Sequence, residues 1–151
     1  MISRALGNIL NIGRCCATYR KQQLKGLVLN PGQHLFITCI CRHPGITQDR
    51  MAEALCIDKT TVAHRLARLE TDGYIERRIS PQDGRCRCVY PTAKALEVYP
   101  QVHGAFEQFT AQVLDGLSEQ DKAELERLTE LVRANAVRLI RQQKQGRGET
   151  L

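Results

Sequence analysis

The chain has 151 residues, 42% of them hydrophobic, and its 22 lysines and arginines outnumber 16 acids for a formal net charge of +6. That size suits one globular domain with its own core, and a pI near 9.1 favours a polyanionic partner. No run of about 18 apolar residues exists and the start lacks the basic, apolar, small-residue order of an export signal, so the expected location is cytoplasmic, with no membrane association.

Residues 1–48 contain no Asp or Glu, yet Arg4, Arg14, Arg20, Lys21, Lys25 and Arg42 fall there; the first acid is Asp49. Ile2, Leu6, Ile9, Gly13 and Cys16 step by four and three, which predicts an amphipathic helix running to about Leu24. A second helix is predicted from Asn30 as cap, with Pro31 in the first turn and Gln33 closing a capping box, through Phe36, Ile37, Cys39 and Ile40 to a stop at His43-Pro44-Gly45. Thr47 then caps a short helix to Leu55 that buries Met51, Ala52 and Leu55. After a tight turn Asp58 caps another helix to about Asp72, with Val62, Leu66 and Leu69 facing inward.

The opposite face of that helix carries Thr61, Arg65 and Arg68 on one stripe, with Lys59, Thr60 and His64 alongside, because residues three and four apart stack on a helix. Arginine presents a planar fork that matches the two major-groove acceptors of guanine, and threonine donates, accepts or touches a thymine methyl. Thr47 and Gln48, at the start of the preceding helix, join the same candidate surface. A solvated charged face is the plain alternative. The stretch from Gly73 to Tyr90 favours a DNA-reading role. Gly73 marks a left-handed helix end, Tyr74 to Ile79 alternates as a strand that includes Arg78, Ser80-Pro81-Gln82-Asp83-Gly84 makes a turn, and Arg85-Cys86-Arg87-Cys88-Val89-Tyr90 returns. Arg85 and Arg87 at the hairpin tip are placed to reach a backbone or a minor groove.

Thr92 caps a further helix in which Tyr99, Val102, Phe106, Phe109 and Val113 repeat at helical spacing; Pro100 within it predicts a kink or a ragged first turn. Ser118-x-x-Asp121 opens a last helix with Leu125, Leu128, Val132 and Leu139 on one stripe. The polar segment from Gln142 to Leu151 is expected to be disordered. The architecture is therefore mainly α with a small β-hairpin: a winged helix-turn-helix at 30–91, flanked by helices at 1–28 and 92–141 whose apolar stripes need a partner and are expected to make a homodimer.

The reader unit resembles the MarR family of bacterial transcriptional regulators. The resemblance rests on Thr47-Gln48, Met51-Ala52-x-x-Leu55, Asp58-x-x-Thr61-Val62-x-x-x-Leu66-x-x-Leu69-Glu70-x-x-Gly73-Tyr74-Ile75-x-Arg77 and Asp83-x-Arg85. It departs at Pro91-Thr92, where the family has Leu-Thr, which leaves the end of the second wing strand open. The resemblance implies that Asp83 buttresses the wing while Arg85 enters the minor groove, that a homodimer with interlocked ends binds double-stranded DNA, and that a small anionic aromatic effector binds between the dimer helices and the reader. Arg14, Arg20, His34 and Arg42 are the candidate anion partners.

Seven cysteines, Cys15, Cys16, Cys39, Cys41, Cys56, Cys86 and Cys88, raise the alternatives of thiol or metal sensing. In a reducing compartment structural disulfides are not expected. Cys39 and Cys41 point roughly 200 degrees apart on a helix, and Cys86 with Cys88 supplies two of the four ligands a structural zinc needs. Among the thiol-based peroxide sensors and metal-responsive members that the resemblance includes, a tyrosine pair accompanies the reactive cysteine, which Cys15 lacks; His34, His103 and Glu107 match part of a zinc-sensing pattern. The reading is of packing thiols, no metal and no cofactor. No phosphate loop, nucleophile elbow or metal quartet suggests an enzyme. A winged helix used for protein assembly is the rival, and arginines on both the helix and the wing tip argue against it.

Overall fold

The computed structural model describes residues 4–27, 29, 32–79, 84 and 87–146, the last three as backbone only. Helix α1 spans Arg4–Gln23, α2 Gln33–Arg42, strand β1 Ile46–Thr47, α3 Gln48–Leu55, α4 Lys59–Thr71, β2 Ile75–Ile79, β3 Arg87–Pro91, α5 Ala93–Val113 and α6 Glu119–Gly146. No described helix is long and apolar enough to cross a membrane.

The core lies where α2, α3, α4 and the sheet meet. Phe36, Ile37 and Ile40 of α2, Met51 of α3, Val62, Leu66 and Leu69 of α4, and Tyr74, Ile75 and Val89 of the sheet are all buried in one cluster. Each large aliphatic or aromatic side chain buried this way contributes about 1.5–3 kcal/mol. The predicted inward stripe of α4 is thus its buried face. Thr47 accepts the Arg50 N–H as the cap of α3, and Asp58 accepts the Thr61 N–H at 2.8 Å as the cap of α4. Between them Cys56 adopts a left-handed conformation, φ 53°, which ends α3 and turns the chain.

The sheet has three antiparallel strands in the order β1-β3-β2, with Ile46 opposite Val89 and Ile75 opposite Pro91. The two-residue β1 is absent from the sequence reading, because a run that short has no visible alternation. It is set by Gly45, φ 86°, where a side chain would meet the Tyr90 hydroxyl at 3.0 Å. Gly73 has φ 78°, the left-handed helix end its position predicts. Pro91 closes β3, and the Thr92 N–H continues the pairing by donating to the Tyr74 carbonyl at 3.0 Å, so the missing donor falls where the strand ends.

Several expectations change. Helix α2 begins at Gln33 with Gly32 as its cap residue, so Gln33 is the first helical residue, and its buried side chain reaches Asp72 at 2.8 Å and closes no capping box; Asn30 and Pro31 lie outside the described residues. Thr92 caps α5 by accepting the Ala95 N–H, and Pro100 sits eight residues in within a continuous helix, leaving the first turn intact. The capping box of α6 forms, Ser118 and Asp121 each accepting from the other's backbone N–H. Helix α6 continues to Gly146, five residues into the segment expected to be disordered, since Gln142 to Gln145 are good helix formers with no proline among them. Of the described thiols, Cys39 and Cys88 are buried and Cys16 and Cys41 half-buried, while Cys15 and Cys56 are exposed and do not fit the packing reading. Burial pushes the Cys39 and Cys41 thiols up.

Helix α1 rests on α5, with Tyr19 and Phe109 rings 5.5 Å apart. Its Leu6, Ile9, Leu10 and Ile12 are nevertheless exposed, as are Leu125, Leu128, Leu131, Val132 and Leu139 of α6.

Candidate nucleic-acid interface

Burial of Val62, Leu66 and Leu69 turns the opposite side of α4 outward. Thr60, His64, Arg65 and Arg68 stand exposed there. Thr61 is half-buried, and its hydroxyl donates to Asp58 Oδ2 at 2.7 Å, so its side chain reinforces the cap. Arg68 pairs with Asp72 at 3.2 Å, one turn on. The Arg65 guanidinium lies beside Gly32 at the start of α2.

The start of this surface is cross-braced. Gln48 Nε2 donates to the Lys59 carbonyl at 3.4 Å, and Lys59 pairs with Asp49 at 3.2 Å, so Thr47, Gln48 and Lys59 come together where α3 and α4 begin. On the wing side, Arg78 pairs with Glu76 and lies over the Tyr90 ring at 4.7 Å, while Arg87 is exposed opposite Ile79. Asp83, Arg85 and Cys86 lie outside the described residues. The sequence does not assign Lys94, Gln33 or Asp72 to this region. Lys94 donates to the Asp72 carbonyl at 2.7 Å and lies over Tyr74 at 4.4 Å. Only the Arg68 to Asp72 spacing of four is available in the sequence to reveal that cluster.

The sequence profile of the MarR family matches residues 29–87, the span from the approach to α2 to the start of β3. An HTH-type transcriptional regulator of Bacillus subtilis strain 168, YybA, is 33% identical over 138 residues, covering 91% of this chain and 85% of that protein. The chain belongs to the MarR family. It is a transcriptional regulator with a winged helix-turn-helix. Among solved MarR-type structures, the transcriptional regulator SlyA superposes with a TM-score of 0.82 at 30% identity, over 90% of this chain and 96% of that one. A MarR family transcriptional regulator from Listeria monocytogenes complexed with 26mer DNA superposes with a TM-score of 0.86 at 25% identity, over 99% of each chain.

The four candidate anion partners do not converge in this MarR protein. Arg20 of α1 and His34 of α2 lie close enough to interact, and burial, then the Arg20 charge, lowers the His34 pKa to about 4. Arg20 Nε and His34 Nε2 are buried without a hydrogen-bond partner among the described residues. Arg14 instead donates to Asn11 on an exposed face. Arg42 is exposed at the far end of α2, eight residues or about 12 Å from His34 along the helix axis. His103 and Glu107 are 3.7 Å apart, and among the described residues no three His, Cys, Asp or Glu side chains are grouped to hold a metal ion.

His34 has a folded pKa below its ordinary 6.5, so on acidification the unfolded chain takes the proton first and stability is lost as pH falls from 6.5 towards 4. Replacing His34 by Gln should flatten this part of the profile, as measured by urea unfolding at pH 7 and pH 5. An unchanged slope would place the titrating group elsewhere.

Proposed function

We propose that the protein is a ligand-responsive repressor that binds a pseudo-palindromic operator as a homodimer, with α4 in the major groove and the hairpin at the flanking minor groove. The observation that carries this reading is the two-faced α4: three side chains fully buried on one side, and Thr60, His64, Arg65 and Arg68 exposed on the other beside the start of α3. The Listeria relative complexed with DNA supports the mode of binding. Thr47, Gln48, Lys59, Arg78, Asp83, Arg85 and Arg87 are assigned to the same surface, chiefly as backbone contacts that set orientation.

Arg65→Ala should cost about 1–3 kcal/mol of preference for the operator over random duplex, read by gel shift with both DNAs. Equal weakening on the two would reassign Arg65 to phosphate contact.

Dimerisation is supported by the exposed apolar stripes of α1 and α6, which a lone protomer leaves in water. Leu128→Asp should convert the dimer to monomer in sedimentation equilibrium and lower operator affinity at least tenfold, because the two half-sites are no longer bound as a unit. A Leu128→Asp protein that stays dimeric would move the interface away from the α6 stripe.

The effector reading is favoured by one observation, the unpartnered nitrogens of Arg20 and His34 where α1 meets the reader. An anionic carboxylate there would supply both missing acceptors. Benzoate, as an aromatic carboxylate probe, should release wild-type protein from operator DNA and fail to release Arg20→Gln; equal release of both would remove Arg20 from the site.

A further inference from the structure

The last third of α6 faces α3 across two adjoining cavities. The larger, about 970 Å³, is lined by His43, Arg50 and Glu53 from the reader and by Arg133, Arg138 and Arg141 from α6. The smaller, about 380 Å³, has an aliphatic lining of Ala52, Ile57, Ala136, Val137 and Ile140. Glu53, Arg133 and Arg141 border both, and the Arg141 guanidinium is ion-paired with the Glu53 carboxylate at that boundary. This pair ties the first helix of the reader to the long C-terminal helix.

The larger cavity sets four arginines and a histidine against one carboxylate. Arg133 shares its charge with Glu130 at 2.7 Å, but Arg50 and Arg138 have no carboxylate partner among the described residues. A cleft of this sign selects an anion. The smaller cavity has the size of a small-molecule site, and no aromatic residue lines it. Helix α1 of a second copy is a poor occupant, since Arg4, Arg14, Arg20 and Lys21 give it positive charge and it contains no acid.

We propose that this cleft binds a small amphipathic carboxylate, its aliphatic body in the smaller cavity and its carboxylate on Arg141 in place of Glu53. The ligand and the Glu53 to Arg141 tie then exclude one another, so occupancy releases α3 from α6. Glu53 is an internal competitor for the ligand. The site is separate from Arg20 and His34, which line neither cavity.

Calorimetric titration of the full chain, free of DNA, with decanoate tests this independently of operator binding. Decanoate should bind, and decan-1-ol should bind at least about tenfold more weakly, the scale of one lost charge-assisted hydrogen bond. Arg141→Gln should weaken decanoate to the same degree, Ala136→Phe should exclude it by filling the aliphatic cavity, and Glu53→Gln should tighten it several-fold. Arg127→Gln, an equal loss of charge on α6 outside both cavities, should leave binding as it was. Circular dichroism of each variant separates loss of the site from loss of the fold. The proposal is overturned if decanoate gives no binding heat, as it would if a partner subunit filled the cleft. It is equally overturned if folded Arg141→Gln or Ala136→Phe binds decanoate normally, if Glu53→Gln weakens binding, or if Arg127→Gln weakens it as much as Arg141→Gln.

Discussion

Gln33 is 1% exposed, the one buried polar residue among those described, and its amide donates to Asp72 Oδ2 at 2.8 Å. An amide taken out of water needs such an acceptor, because leaving it unmet costs more than the bond itself returns. The same Asp72 oxygen takes the Arg68 Nε at 3.2 Å, and the Asp72 carbonyl takes the Lys94 ammonium. The Gln33 hydrogen bond above all, then Arg68 and Lys94, holds the Asp72 carboxyl below its usual range. The first turn of α2, the end of α4 and the first turn of α5 therefore meet at one residue. Moving any of them relative to the others leaves a donor without its acceptor.

That junction fixes one end of α4, and different physics fixes the rest. The Asp58 cap and the Gln48 and Asp49 contacts to Lys59 hold the beginning. Burial of Val62, Leu66 and Leu69 sets the rotation about the helix axis. With both ends and the inner side constrained, the positions of Thr60, His64, Arg65 and Arg68 are dictated by the fold and need no contacts of their own to be presented. A surface pre-positioned in this way loses less freedom when it engages a partner.

The parts of this arrangement that depend on local chemistry are legible in the sequence. Asp58, Thr92 and the Ser118 to Asp121 box are hydroxyl or carboxylate caps whose partners lie three residues away, and the inward stripe of α4 is a matter of spacing. What is not legible depends on distant residues. Gln33 looks like part of a capping box in the sequence because its real acceptor is 39 positions along the chain. Strand β1 is visible only once β3 is beside it, and Thr61 reads as a recognition residue because its spacing matches Arg65 and Arg68, although its hydroxyl is committed to Asp58. For the anion partners, charge in the sequence says nothing about convergence: Arg20 and His34 meet across two helices, while Arg14 and Arg42 lie on separate exposed faces.

Side-chain burial is unevenly shared between the two halves of the molecule. The reader encloses a core of its own, whereas α1 and α6 bury no residue fully and keep their leucines and isoleucines in water. The ion pairs along α6, Glu119 with Lys122, Glu124 with Arg127 and Glu130 with Arg133, lie within one helix and are exposed; such pairs support helicity only modestly. A helix of 28 residues held by little else is incomplete as a protomer, and burying its apolar stripe against a second copy is the simplest way to complete it. The reader, being self-sufficient, can then shift as a unit on that scaffold. What resists the shift is confined to few contacts, the Glu53 to Arg141 tie among them, so a ligand that competes for one guanidinium acts on the position of the whole reading surface without having to unfold any part of it.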